Sequence, residues 1–405
     1  METVSLTAVL AAMFAWCVVA NRLQRVGLTA PIVFVTAGFL FTEGFDILDL
    51  PAEPHLVKVI AEVTLVWVLF ADASLVRPRQ FRRDLGTYVR LLGVGLPLTV
   101  ALGTVVALVA LDVDGWTALL IGAALAPTDA ALGATVMSDP RVPSRIRRML
   151  NVESGLNDGI ATPIVLLAIA GVAGNEGIAG VESPGRAAVA LLVGALAGGA
   201  VGGLGGVLTR VARRRGWLSE ELAGPAVLAL ALLAYTGALL VEGNGFVAAF
   251  VGGLVFGAVA GRGGDKEIFF VEQSGAVTSM VTWLIFGALA VPTIGASWTW
   301  SMLGYAVLSL TAVRMLPVGV ALLGTGLDRV SVAFVGWFGP RGLASVIFAL
   351  LALEDLHDAG SEVVAVIALT VLLSVLAHGI SAGPFGRAFP DPTSSGTERP
   401  HHEPL

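Results

Sequence analysis

The chain has 405 residues, of which 56% are hydrophobic and only 13% charged, with a net charge of -6. A mean hydropathy of +0.86 excludes a soluble globular domain, and the single cysteine, Cys17, excludes intrachain disulfides and a multi-thiolate metal site. A membrane-spanning helix needs about 20 apolar residues.

Apolar stretches of that kind recur along the chain and predict about 13 transmembrane helices, an all-α polytopic membrane protein. They cover about 4–20, 28–41, 56–76, 87–110, 115–137, 146–171, 187–210, 222–241, 244–260, 274–291, 298–324, 330–353 and 361–386. The first lacks a basic region ahead of it, which suits a retained helix rather than a cleaved signal. The tail at 388–405 is polar, Pro-rich and expected to be disordered in the cytoplasm.

The basic residues follow the odd-numbered spans. Of the 24 Lys and Arg, 20 fall on one face, only Lys58 and Arg186 fall on the other, and Arg314 and Arg341, inside spans, belong to neither. By the positive-inside rule the basic face is cytoplasmic, placing the N-terminus outside and the C-terminus inside.

Two spans are interrupted. The fifth, about 115–137, carries Ala126-Pro127-Thr128-Asp129, and the twelfth, about 330–353, carries Gly339-Pro340-Arg341-Gly342. Proline removes a backbone donor and clashes with the preceding turn, so the helix unwinds at Pro127 and at Pro340. Taking spans one to six and eight to thirteen as two halves makes these counterparts, in opposite orientation. Matching interrupted spans point to inverted repeats with a binding site at mid-membrane.

The sixth span carries Glu153-Ser154-Gly155-Leu156-Asn157-Asp158-Gly159. Asp129 stands about ten residues before the basic cluster that begins at Arg141, and Asp158 ten residues after Arg148. At about 1.5 Å per residue, both acids sit roughly 15 Å from the cytoplasmic edge of a roughly 30 Å core. Carboxylates at that depth cost about 2.5–3.5 kcal/mol on insertion scales and mark proton or ion pathways. Ser154 and Asp158 share a helix face, with Glu153 and Asn157 on the next one. Carboxylate, hydroxyl and amide oxygens together suit a hard cation such as Na+, at Asp158, Ser154, Asp129 and Thr128. A carboxylate that takes either a cation or a proton yields exchange by competition. Structural roles compete with this reading: Asp129 as a helix cap, Arg341 as a holder of freed carbonyls, His378 as a packed histidine, and Glu62 and Asp72 as accessory acids of undecided role.

At these residues the chain resembles the monovalent cation:proton antiporter superfamily, sodium/proton exchanger branch. Pro127-Thr128-Asp129 matches its Thr-Asp motif, Glu153-Ser154-x-x-Asn157-Asp158-Gly159 its Asn-Asp motif, and Gly339-Pro340-Arg341-Gly342 that of its second crossing helix. Arg314-Met315-Leu316-Pro317-Val318 resembles the segment around its helix-eleven arginine, Phe70-Ala71-Asp72-Ala73 its Asp-Ala element, and Ser374-Val375-Leu376-Ala377-His378-Gly379 its ending.

The resemblance implies that Asp158 binds ion and proton, that Asp129, Thr128, Ser154 and Asn157 ligate or position, and that Glu153 and Arg314 form a structural ion pair. It implies crossing of the two broken helices and a single transporter domain over 1–387. In that domain a core bundle (about 87–171 and 298–387) moves elevator-like against a dimer-interface part (about 4–76 and 187–291). Further expectations are a homodimer in the bacterial plasma (inner) membrane serving pH homeostasis, with no cofactor and no nucleic-acid partner. Asn157, where the electrogenic branch has an aspartate, implies electroneutral exchange. The chain departs from the pattern in Thr-Asp-Ala for Thr-Asp-Pro and in Gly155 for a bulkier residue. The alternatives are K+/H+ antiport on the same fold, an intramembrane aspartyl protease, which the missing Gly-x-Gly-Asp setting disfavours, and a passive cation channel.

Overall fold

In the computed structural model, residues 3–25, 27–48, 54–76, 84–129, 132–133, 139, 141–178, 183–261 and 265–386 are described. All regular structure among them is helical. Eight of the helices are long and apolar enough to cross a membrane, and three shorter apolar ones accompany them.

In chain order these are α1 (Thr3–Arg25), α2 (Ala30–Phe39, continued by a π-helical turn Leu40–Gly44) and α3 (Pro54–Ser74). Helix α4 (Leu85–Ala110) contains a π-helical turn at Leu91–Gly95. Then come α5 (Gly115–Ala124), α6 (Ser144–Glu176), α7 (Pro184–Arg214), α8 (Glu220–Leu239), α9 (Gly245–Ala260) and α10 (Asp265–Ala296). The last five are α11 (Trp300–Leu310), α12 (Ala312–Ala321), α13 (Arg329–Trp337), α14 (Leu343–Leu356) and α15 (Ser361–Gly386).

Each expected span corresponds to one of these helices or to a pair. One difference is instructive: the stretch expected as a single helix over 298–324 is divided at Thr311 (φ -112°, ψ -93°) into α11 and α12. There the Thr311 hydroxyl bonds back to the Val307 carbonyl at 2.7 Å, a side-chain intrusion of the kind that bends helices. The fifth span keeps its expected start, but residues 130, 131 and 134–137 of it lie outside the described residues, as do Arg77, Arg79, Arg82, Arg83 and Arg262 of the basic tally and the tail from 387 on.

Packing sorts the helices into two neighbourhoods. Helices α4, α5 and α6 pack with one another and with α11, α12, α14 and α15; helices α2, α3, α7, α8, α9 and α10 pack among themselves. The tightest seam of the second group is α7 on α9. Gly194, Gly198, Gly202 and Gly206 of α7 face the α9 backbone so closely that a β-carbon would overlap it at the first three, the small-residue packing expected between helices in lipid. The neighbourhoods meet where α3 packs on α6 and α14, and where α10 packs on α14 and α15. The most buried long helix, α6, lies at this meeting, with 72% of its apolar window buried, against 22% for α7.

Candidate functional site

The site grows from two failures of helix propagation. Helix α5 stops at Ala124, three residues before Pro127, and Leu125–Asp129 run on without helical structure. Helix α13 ends at Trp337, and α14 restarts at Leu343 after Gly339-Pro340-Arg341-Gly342. Helix ends bare their backbone groups, and in an apolar interior these must find partners. Here each break supplies the other's partners.

The Asp129 N–H donates to the Pro340 carbonyl at 2.9 Å, and the Asp129 carboxylate Oδ2 accepts the Leu343 N–H at 3.1 Å, at the first turn of α14. The Arg341 guanidinium donates to the carbonyls of Ala126 (2.9 Å) and Pro127 (3.3 Å) through Nη1, and to that of Ser309 (3.2 Å) through Nη2. Ser345 Oγ donates to the Ala124 carbonyl, the last of α5, at 2.6 Å. The expected capping role of Asp129 is therefore present, but on the opposite broken span rather than its own. Gly342 makes this approach possible, since a β-carbon there would overlap Asp129.

Helix α6 lies alongside the first break. Thr128 Oγ1 and Ser154 Oγ are 3.0 Å apart, and Asn157 Nδ2 donates to Thr128 Oγ1 at 2.7 Å. Thr128 thus joins Ser154 and Asn157, which were assigned to adjacent faces of the helix. All three are buried, as is Asp158. The Oδ1 atoms of Asp158 and Asn157 are buried without a hydrogen-bond partner among the described residues. A buried acceptor left bare is costly unless something fills it, and the arrangement suits a cation or a proton.

Asp72 of α3 belongs to this site. It lies within electrostatic reach of Asp158 together with Asp129, and its Cβ lies 3.6 Å from where a β-carbon on Gly155 would stand. That is an ordinary van der Waals distance, so Gly155 and Asp72 are direct neighbours across the α3–α6 contact. Glu62, ten residues earlier on α3 and so roughly 15 Å away along the helix, is engaged elsewhere. It interacts with Tyr235, Lys58, Asp355 and His55, in a cluster where Lys58 Nζ and Asp355 Oδ1 form a 2.6 Å ion pair between α3 and α14.

Beneath the site, Arg314 of α12 pairs with Glu153 of α6 at 2.6 Å, with side chains only 2% and 4% exposed. The bend at Thr311 precedes this arginine by less than one turn. Ser345 has no sequence signal beyond one hydroxyl in the apolar run Leu343–Leu353, and Ser374 stands out only as part of the ending motif. Ser374 Oγ accepts the Arg341 N–H at 2.7 Å.

The family model described as sodium/hydrogen exchanger, transmembrane, matches residues 8–388. The chain is 25% identical over 359 residues to a K+/H+ antiporter, NhaP, of Alkalimonas amylolytica, covering 86% of this chain and 61% of that one. It is 30% identical over 256 residues to an uncharacterised Na+/H+ exchanger of Mycobacterium tuberculosis, covering 62% of this chain and 44% of that one. This chain therefore spans less than two thirds of the length of these relatives. The solved structure of the sodium proton antiporter MjNhaP1 from Methanocaldococcus jannaschii superposes with a TM-score of 0.78 at 19% identity, over 95% of this chain and 98% of that one.

Proposed function

Since the chain belongs to the sodium/hydrogen exchanger family, we propose that it is a secondary antiporter moving a monovalent cation, Na+ in the first instance, against H+. The observation that carries this reading is the Oδ1 of Asp158, buried without a partner among the described residues, with Ser154 and Thr128 paired beside a helix break. An acid so placed takes a cation or a proton, not both, and competition for one carboxylate couples the two fluxes. Asp158, Ser154, Asp129 and Thr128 supply oxygens to the cation. Asn157 holds Thr128 and, as a neutral amide, leaves a single charge to be exchanged, which favours an electroneutral cycle. Asp72 stands beside this site as a further acid within electrostatic reach of Asp158.

A second reading, K+/H+ antiport by the same site, is favoured by the name of the Alkalimonas relative. Proteolysis is disfavoured by the geometry: one Asp129 oxygen is committed to the α14 backbone, whereas a catalytic dyad needs both acids aimed at a substrate. A passive channel is disfavoured by the enclosure of the site. We propose that the protein's C-terminal side faces the cytoplasm, because Arg145, Arg147, Arg148 and Arg213, Arg214, Arg215 mark one face; a homodimer in a bacterial inner membrane is what the family resemblance implies.

The test is exchange in proteoliposomes. A pH gradient drives uphill uptake of Na+ or K+ in the wild type, and Asp158→Asn abolishes it. PH-dependent exchange retained by Asp158→Asn sinks the mechanism. Proton release from the vesicles on adding Na+, Li+ and K+ in turn, with and without a membrane potential, decides cation and stoichiometry.

A further inference from the structure

The exchange of partners between the two breaks satisfies one side of the second break. Its other side faces α15, where Ser374 and His378 stand one turn apart, both buried. Ser374 Oγ accepts the Arg341 N–H at 2.7 Å. His378 Nε2 lies 2.8 Å from the carbonyl of Trp337, the last residue of α13. A carbonyl oxygen can only accept, so Nε2 carries the hydrogen. In the neutral ring Nδ1 then accepts, and its donor is the Ser374 hydroxyl at 3.2 Å; the Ser374 carbonyl oxygen lies 2.8 Å from the same atom without bonding it. The imidazole is thus held at both nitrogens, with the Trp337 and Phe338 rings 5.3 and 6.2 Å from it.

The residues so fastened, Trp337 and Arg341, bracket the second break. Arg341 is the side chain that holds the Ala126 and Pro127 carbonyls, immediately before Thr128 and Asp129. A chain of contacts therefore runs from α15 through Arg341 to the cation ligands.

We infer that Ser374 and His378 are positioning residues for cation binding, fastening the second break from α15 so that Arg341 can fix the ligand-bearing first break. Neither touches the ion. Their effect is on where Thr128 and Asp129 stand relative to Asp158. The inference rests on the antiport reading above. It separates two roles for the Ser374-Val375-Leu376-Ala377-His378 stretch: filling the core, which any apolar side chain of similar size does, and directing two hydrogen bonds, which only suitable donors and acceptors do.

The experiment compares Ser374→Ala and His378→Leu with Ser374→Thr and His378→Gln, which keep a hydroxyl and a donor. The readouts are the half-saturating Na+ or K+ concentration for exchange in proteoliposomes and the thermal stabilisation of the purified protein by NaCl or KCl. Loss of one buried bond should raise the half-saturating concentration about fivefold in Ser374→Ala and His378→Leu. Thermal stabilisation by cation should weaken in parallel, and Ser374→Thr and His378→Gln should restore both. An unchanged half-saturating concentration in folded Ser374→Ala and His378→Leu overturns the inference. Failure of both to fold overturns it as well, because the pair would then be structural. A wild type without exchange would instead count against the antiport reading.

Discussion

Charge and helix breaking decide most at the scale of single residues. Glu153 and Arg314 illustrate a pair whose worth lies in its completeness, because both side chains are almost wholly buried. Removing one partner leaves the other as an uncompensated charge, at a cost of about 3–5 kcal/mol, whereas an apolar replacement of both is far less harmful. Glu153→Leu and Arg314→Leu alone should therefore lower the yield of folded protein and its melting temperature strongly. The double variant should melt above either single one, as fluorescence-detected gel filtration after heating would show. Equal damage in all three would mean that the pair is not coupled. Asp158, Asp129, Glu153, Arg314 and Arg341 were legible in the sequence because charge is rare within apolar spans. Ser345 was not, since one serine in an apolar run is ordinary and gains meaning only from the carbonyl of Ala124 opposite it. The partner of Asp129 was also hidden, 214 residues further along the chain.

Elements show the same division. The start of α5 is written locally: Asp114 caps it, accepting the Trp116 N–H at 2.9 Å, the Thr117 N–H at 3.5 Å and the Thr117 hydroxyl. Asn175 from the far end of α6 donates to the same carboxylate at 3.2 Å. Burial pushes the Asp114 carboxyl up, but the hydrogen bonds from Thr117, Trp116 and Asn175 outweigh it and hold it below its ordinary value. A carboxyl depressed in the folded state stabilises above the unfolded value of about 3.9, and that contribution is lost as pH falls through the folded value. Asp114→Ala should cost about 1 kcal/mol of stability, seen as a lower melting temperature at pH 7. The difference from wild type should shrink below about pH 4. A difference that stayed constant down to acid pH would show that the cap does not act through its charge. By contrast, the division of the 298–324 span at Thr311 was not legible. Thr311 bonds to its own helix, and nothing in composition distinguishes it from other hydroxyls that do so without breaking theirs.

The whole molecule is built of two neighbourhoods of helices joined across α3, α6, α10, α14 and α15. Lys58 of α3 and Asp355 of α14 form a half-buried ion pair across that seam. If the helices around α6 and α14 travel as a body past α3, this pair must separate in each cycle. With Cys17 first replaced by serine, Lys58→Cys combined with Asp355→Cys, bridged by a short bifunctional thiol reagent, should stop exchange. Cleavage of the bridge should restore it. Full activity in the bridged protein would exclude relative movement at this seam.

By itself the sequence determined the membrane as solvent, the succession of apolar helices and the charged residues and helix breaks set within them, because each rests on local properties: hydropathy, proline geometry and the cost of charge in lipid. Only the tertiary structure decided how those residues act on one another. The orphaned backbone groups of one broken helix are satisfied by side chains of the other, Gly342 lets the two approach, and Asp72 is brought beside Gly155. Such pairings depend on which distant segments meet, and no local propensity encodes that.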